Sequence, residues 1–153
     1  MNAIELLKAD HDEVGAFFKE VKAHEDADHT AIFKKIKAAL DVHTHIEETI
    51  FYPKLKSEGD EDLVKIVLEG LEEHGQCKMF LMELAAMTND DEKFDPKLKV
   101  LMEDVEHHVK EEEGEMFPLV KEQFDADILK QLGAEMEAEK KNFTSERRSQ
   151  AAG

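Results

Sequence analysis

Two segments of this chain repeat one spacing of residues that bind metal ions. His43–Pro53 reads HTHIEETIFYP and His108–Pro118 reads HVKEEEGEMFP, so each has a histidine, a glutamate four residues later and a proline six residues after that glutamate. Residues four apart in an α-helix lie on one face, about 5–6 Å apart between their Cβ atoms. The imidazole and the carboxylate of each segment can therefore reach one metal ion.

Four histidines of the sequence are spaced to share one layer with these glutamates. They are His11, His43, His74 and His108, and the midpoint between each consecutive pair falls in a polar segment typical of a turn. These segments are residues 24–30, 56–62 and 88–96. Because a helix rises 1.5 Å per residue, equal counts to and from each turn bring the four side chains to one level, roughly 24 Å from the turns. The inward-facing set that this spacing predicts is His11, His43, Glu47, His74, His108 and Glu112.

The elements that must position these residues are helices. Apolar residues recur at alternating steps of three and four, and each of the four histidines lies on such a stripe. The stripes cover about residues 3–23, 32–53 or slightly beyond, 63–84, 98–119 and 126–143. This pattern predicts an all-α fold, an antiparallel up-down-up-down four-helix bundle with an additional short C-terminal helix.

The organisation predicted along the chain is a single domain. Residues 1–122 are assigned to the four-helix bundle and residues 123–153 to the C-terminal helix and a frayed tail, which begins at Thr144. The fifth helix is expected to dock on the bundle or to form a dimer contact.

A metal centre explains the charge that this layer would bury. Each histidine alone is consistent with an ordinary core position, but burial of two ionised carboxylates without compensation costs several kcal/mol per group. Bound cations remove this cost and become part of the folding stability. Six ligands with carboxylates able to bridge favour two ions, with iron first, manganese second and zinc third. The Glu-x-x-His pairs of ferritin-like sites are absent from the sequence.

These residues resemble a known family. His11 in ADHDEV, the first H-x-x-x-E motif followed by FYP, His74 in LEEHGQ and the second H-x-x-x-E motif followed by MFP are similar to the hemerythrin-like HHE cation-binding domain, over roughly residues 3–122. The resemblance implies a four-helix bundle with a non-haem di-iron centre, bridged by two carboxylates and an oxo or hydroxo group. It also implies binding of O₂ or related small ligands.

One position departs from the family pattern. Many hemerythrins have a fifth histidine four residues after the first one of the third helix, where this chain has Lys78. The centre should then have an open position, which leaves three functions in competition. They are binding of O₂ in a redox or iron-related role, an enzyme that decomposes hydrogen peroxide in a catalase-like reaction or reduces nitric oxide, and a sensor whose iron occupancy controls helix packing.

Several further residues are candidates near the centre. Phe51, Tyr52, Cys77 and Lys78 are predicted to line a pocket, and no catalytic side chain is assigned. In a regular helix Tyr52 lies roughly 180° around from His43, which favours packing at the edge of the core over a phenolate ligand. Several other acids and histidines are predicted to be solvated or at the surface: Glu48, Glu113, His24, His29, His45 and His107. For Glu48 and Glu113 the alternative is that they bridge the ions or support a ligand, with Glu113 as a substitute for Glu112.

Composition limits the partners and the location that we expect. With 37 acidic against 20 basic residues the formal charge is −17, and such a surface repels nucleic acid and anionic lipid. Cys77 is the only cysteine, and the N-terminal segment lacks the apolar run of a signal peptide. We therefore expect a cytoplasmic protein, a monomer or weak homodimer, whose ligand is O₂, peroxide or NO.

Overall fold

Helices account for nearly all residues that the computed structural model describes, which are 1–152 for the backbone and 1–150 for the side chains. They are α1 (Ala3–Ala23), α2 (Thr30–Ile46), α3 (Tyr52–Glu58), α4 (Glu61–Ala85), α5 (Phe94–Glu111), α6 (Phe117–Gln123) and α7 (Ala126–Ala152). Two π-helical turns join neighbouring helices without a break, π1 (Glu47–Phe51) between α2 and α3 and π2 (Glu112–Met116) between α5 and α6. The four bundle helices are thus α1, α2–π1–α3, α4 and α5–π2–α6, and α7 is the fifth.

Short turns between the bundle helices produce the up-down-up-down arrangement predicted from the sequence. Helix α1 packs against α2 and α5, and α4 packs against α2, α3 and α5. Side chains cap the starts of two bundle helices: at the start of α1 Asn2 accepts a hydrogen bond from the Glu5 amide at 2.9 Å, and at the start of α4 Asp60 accepts one from the Leu63 amide at 3.0 Å. Such caps satisfy amides that have no partner inside the helix.

The π-helical turns occupy equivalent places in the two halves of the chain. Each begins at the glutamate of an H-x-x-x-E motif and is followed by the proline of that motif, Pro53 or Pro118. The amide of Tyr52 donates to the carbonyl of Glu47, five residues back rather than four. Proline has no amide proton and crowds the preceding turn, which favours a wider turn at this point. Each π turn contains about one residue more than an α-helical turn, so the side chains that follow it point in a different direction around the helix axis.

The apolar core is divided in two by the polar layer. One part lies on the side of the prolines, with fully or nearly fully buried residues that include Leu7, Ile46, Phe51, Leu63 and Phe117. The other part lies toward the α1–α2 and α4–α5 turns and includes Phe18, Ile36, Leu81, Leu98 and Leu101. Between them lie the buried histidines and glutamates. The two parts of the apolar core therefore shield the layer from water at both ends along the bundle axis.

Helix α7 packs along α1 and α2 and is longer than predicted. Its first half buries Leu129, Leu132 and Met136, and Gly133 lies so close to the N-terminus that a Cβ there would be 2.3 Å from the Met1 carbonyl oxygen. The absence of a side chain at this glycine allows the close approach.

The segment after Phe143, which the sequence predicts as a frayed tail, continues as part of α7 up to Ala152. Arg147 reaches back to Asp41 of α2 at 3.0 Å and lies over the Phe143 ring, which itself stacks on His45 with centroids 4.4 Å apart. These contacts hold a segment that has little apolar surface of its own, and a sequence pattern does not reveal them. Of the predicted tail, Gly153 lies outside the described residues.

Among the described residues, every helix is too short or too polar to span a membrane.

Candidate metal centre

The four histidines of the predicted layer come together in two pairs. The rings of His11 and His43 are 5.0 Å apart between centroids, and those of His74 and His108 are 5.1 Å apart. Each pair is joined by a glutamate, and the ligand atoms of each group lie within 4.8 Å of one another. The two groups are His11, His43 and Glu112, and Glu47, His74 and His108.

Both glutamates connect the two groups. Glu112 Oε1 is 3.3 Å from His11 Nε2, while its Oε2 is 3.0 Å from His108 Nε2. Glu47 Oε1 is 3.1 Å from the Nε2 atoms of both His43 and His74. Both carboxylate side chains have no exposed surface. This is the placement that bridging carboxylates require.

Several polar atoms in the layer have no hydrogen-bond partner within the protein. They are His11 Nε2, His43 Nε2, Glu47 Oε2 and Glu112 Oε1, all buried. Leaving a buried polar group unsatisfied costs about 1–3 kcal/mol, and more for a charged one. All four atoms are good ligands for a borderline cation. The residues present therefore fit bound metal cations.

A carboxylate stands behind each histidine. The Nδ1 atom of each of the four lies within hydrogen-bond distance of an acid, so that in the neutral, cation-binding form of the ring Nδ1 is the donor and the Nε2 lone pair is free for a cation. The pairs are His11 with Glu113 at 2.6 Å, His43 with Asp10 at 3.0 Å, His74 with Glu48 at 2.8 Å and His108 with Glu73 at 2.6 Å.

These acids correct the sequence-based expectation. Glu48 and Glu113 are not simply solvated, because each holds a histidine, and Glu112 rather than Glu113 lies inside a ligand group. Asp10 and Glu73 were missed altogether. A signal was present, since one of these acids precedes the first histidine of each half and another follows each bridging glutamate. The two halves support each other, because Glu113 of the second half holds His11 of the first.

Charges within the layer shift the pKa values of its members. Burial lowers the pKa of His43, but Glu47 and Asp10 outweigh burial and raise it to about 10. Burial also lowers the pKa of His108, and its contacts with Glu112 raise it to about 11. Burial raises the pKa of Glu112, but His108 lowers it well below its usual range. Imidazolium–carboxylate pairs thus stabilise the metal-free layer, and cation binding must release protons.

Tyr52 lies inside the layer, so the predicted edge packing is wrong. Its hydroxyl donates to Glu112 Oε2 at 2.6 Å and is 3.5 Å from the Nε2 atoms of His74 and His108. In a regular helix Tyr52 would face roughly 180° away from His43. The extra residue of π1 reduces this angle to roughly 80°, which brings the phenol ring inward.

Space for the Tyr52 ring comes from a glycine on the neighbouring helix. A Cβ at Gly70 would be 3.1 Å from the Tyr52 hydroxyl oxygen. The ring stacks on His74 with centroids 5.3 Å apart, and in the other half Phe117 stacks on His11 at 6.1 Å. Burial and the nearby carboxylates raise the Tyr52 pKa well above its usual value, so the hydroxyl keeps its proton. The hydroxyl is the main difference between otherwise matching halves.

A cavity of about 140 Å³ adjoins the layer on the side away from the prolines. Its lining includes the four histidines and the apolar residues about one helical turn away from them, Val14, Leu40, Cys77 and Val105. Polar and acidic residues complete the lining: Asp10, Thr44, Glu73, Gln76 and Asp104. Burial raises the pKa of the Cys77 thiol to about 12, so it stays neutral. Among the other predicted pocket residues, Phe51 is fully buried against Phe117, and Lys78 points outward to Glu48 at 2.7 Å.

The histidines outside the layer have structural contacts. His29 was predicted to be solvated, but it is buried, with Nδ1 donating to Asp95 and Nε2 donating to the His24 carbonyl. His107 is exposed beside Glu111, as expected of a surface residue. The neighbouring positions 107 and 108 therefore differ in burial, although both line the cavity beside the layer.

Comparisons with known proteins agree with this geometry. The family model described as "Hemerythrin HHE cation binding domain" matches residues 2–120. A protein named DNA nickase, from Nostoc sp. (strain PCC 7120 / SAG 25.82 / UTEX 2576), is 26% identical in an alignment of 157 residues that covers all of this chain and 43% of that protein. This chain thus spans less than half the length of that relative.

A solved structure shares the fold. The crystal structure of a hemerythrin HHE cation binding domain-containing protein from Mycobacterium kansasii matches with a TM-score of 0.79 and 24% identity, over 95% of this chain and 89% of that one. The family model covers well over half of the sequence and spans all six residues of the layer. This chain belongs to the hemerythrin HHE cation-binding domain family.

Proposed function

We propose that this protein binds two iron ions in the buried layer and that the loaded site binds O₂ or a related small ligand. Its role would then be to bind or to sense oxygen, redox state or iron. The observation that supports this most directly is the set of four buried, unpartnered ligand atoms, two from imidazoles and two from carboxylates. Nitrogen and oxygen ligands without a thiolate suit iron, and the shared glutamates suit a pair of ions better than one.

The protein's own residues would prepare the site for this chemistry. The four carboxylates behind the histidines fix each ring and make its inward nitrogen a stronger electron donor. Glu47 and Glu112 balance part of the positive charge and hold the two positions together. Two bound ferrous ions would supply the electrons that O₂ accepts.

The cavity beside the layer would select the ligand. It is small, about 140 Å³, and beside valine, leucine and an un-ionised thiol its lining includes the acidic residues Asp10, Glu73 and Asp104, which disfavour an anion. The small volume and the apolar part of the lining favour small uncharged molecules. On the opposite side Phe51 and Phe117 exclude water.

The nicking activity in the name of the Nostoc relative is not part of this proposal. The chain spans 43% of that protein. Its formal charge of −17 opposes contact with a phosphate backbone.

Metal analysis with an optical spectrum tests the proposal. We expect two iron ions per chain after anaerobic loading, and an absorption band that appears in air and disappears when O₂ is removed. His108→Ala should lose at least one iron, whereas the matched variant His107→Ala, at the exposed neighbour, should keep both. Fewer than two ions in the wild-type chain, or equal metal content in the two variants, would refute the proposal. Rapid O₂ release from added peroxide would instead indicate a peroxide-decomposing enzyme.

A further inference from the structure

The fifth helix reaches the candidate metal centre through one lysine. The Lys140 ammonium donates to Asp10 Oδ1, and Asp10 Oδ2 accepts a hydrogen bond from His43 Nδ1 at 3.0 Å. The side chain of Asp10 is 8% exposed and that of Lys140 is 34% exposed. Helix α7 begins at Ala126, beyond the residues matched by the family model, so this contact comes from outside the matched segment.

A lysine that donates to the Asp10 carboxylate changes how strongly His43 can donate electrons to a bound cation. A carboxylate that accepts the Nδ1 proton increases the electron donation of Nε2. When an ammonium shares the same carboxylate, less negative charge remains for the histidine. The ammonium also adds positive charge near the cation, in surroundings that screen it poorly.

The equivalent positions of the chain show the difference. Behind His108, Glu73 meets the carboxylate of Glu111 rather than an ammonium. Behind His74, Glu48 does meet Lys78, but the Lys78 side chain is 51% exposed and therefore more strongly screened by solvent. Of the two lysines that contact a carboxylate bound to a layer histidine, Lys140 of α7 is the less exposed.

We propose that Lys140 is a positioning residue that acts through Asp10 to weaken the electron donation of His43 and so raises the reduction potential of the iron ion held by His11 and His43. The inference rests on the proposed function. Both effects of the ammonium favour the ferrous state of that ion, because the oxidised state has the higher positive charge and the greater need for donation.

Spectroelectrochemical titration of the full-length, iron-loaded protein tests this role. Lys140→Met should favour the ferric state of one ion at least tenfold more than the wild type, a fall of about 59 mV in one of the two one-electron steps. Lys140→Gln should do the same, since it removes the charge and keeps a polar group in place if the methionine variant folds poorly. Lys140→Arg should restore the wild-type potential.

Two variants separate this role from a general effect of α7. Lys141→Met removes the same charge from an exposed neighbour that forms no ion pair among residues with described side chains, and it should leave both potentials unchanged. Arg147→Met removes the α7 contact with Asp41 without touching Asp10, and it should also leave them unchanged. A shift in either variant that equals the Lys140→Met shift would overturn the inference.

The remaining outcomes distinguish the two proposals. If the protein holds two irons per chain and both uncharged Lys140 variants have unchanged potentials, the role of Lys140 is refuted and the proposed function is not. A wild-type chain that holds fewer than two irons would refute the proposed function and, with it, this inference. Circular dichroism on every variant shows that the compared proteins have the same helix content.

Discussion

Gly70 should be intolerant of even one added carbon, although it lies in the middle of α4. An alanine there gains about 1 kcal/mol of helix propensity. Its Cβ would be 3.1 Å from the Tyr52 hydroxyl oxygen and 3.4 Å from the ring carbon that bears it. Overpacking costs about 1–3 kcal/mol, and displacement of the hydroxyl from the Glu112 carboxylate costs about 1.5–3 kcal/mol more. We expect Gly70→Ala to lower the free energy of unfolding by about 1.5–5 kcal/mol.

Urea denaturation in the presence of a chelator measures this change without a contribution from bound metal. Gly75→Ala is the matched control on the same helix, because its Cβ would meet no atom within 4 Å. That variant should gain about 0.5–1 kcal/mol.

A double-mutant cycle with Tyr52→Phe shows whether the hydroxyl is responsible. Without the hydroxyl the closest contact of the new Cβ becomes 3.4 Å, so Gly70→Ala should cost less in that background. The reasoning fails if the two glycine variants change stability equally, or if the cost at Gly70 is the same with tyrosine and phenylalanine.

Two further predictions concern the acids and histidines of the layer. Glu113→Ala removes the hydrogen-bond acceptor of His11 Nδ1 and should weaken metal binding about 10–100-fold in competition with a chelator. The control Glu115→Ala makes the same charge change at an exposed position and should leave the affinity unchanged. Equal metal affinities of the two variants would contradict the role of Glu113. In the metal-free protein, the stability that comes from the raised pKa values of His43 and His108 is complete below about pH 6.5 and is lost as pH rises through about 10 and 11, so melting temperature should fall over this range. A melting temperature of the chelated protein that rises with pH relative to the metal-loaded protein would contradict this.

The level of the site was predictable because it depends on simple helix geometry. Equal residue counts on both sides of each turn place the histidines in one layer, and the structure brings them together in pairs 5.0 and 5.1 Å apart. The duplicated H-x-x-x-E motifs likewise predicted that Glu47 and Glu112 face inward, and the structure buries both in this layer. These features need only regular helices and short turns.

The misplaced residues depend on departures from that regularity or on contacts distant in sequence. Tyr52 was misplaced because a π turn adds a residue between it and His43. His29 and Arg147 form their contacts with Asp95 and Asp41, which are 66 and 106 residues away along the chain. A single-helix pattern contains no information about such pairs.

Each ligand group draws on both helical hairpins, which has a consequence for the order of folding. The first hairpin contributes His11 and His43 to one group but needs Glu112 from the second, and the second hairpin needs Glu47 from the first. Each hairpin alone therefore lacks the glutamate of its ligand group, and a complete group forms only when the two hairpins have docked. Added metal should slow unfolding and leave the refolding rate unchanged, as the two arms of a denaturant rate plot would reveal.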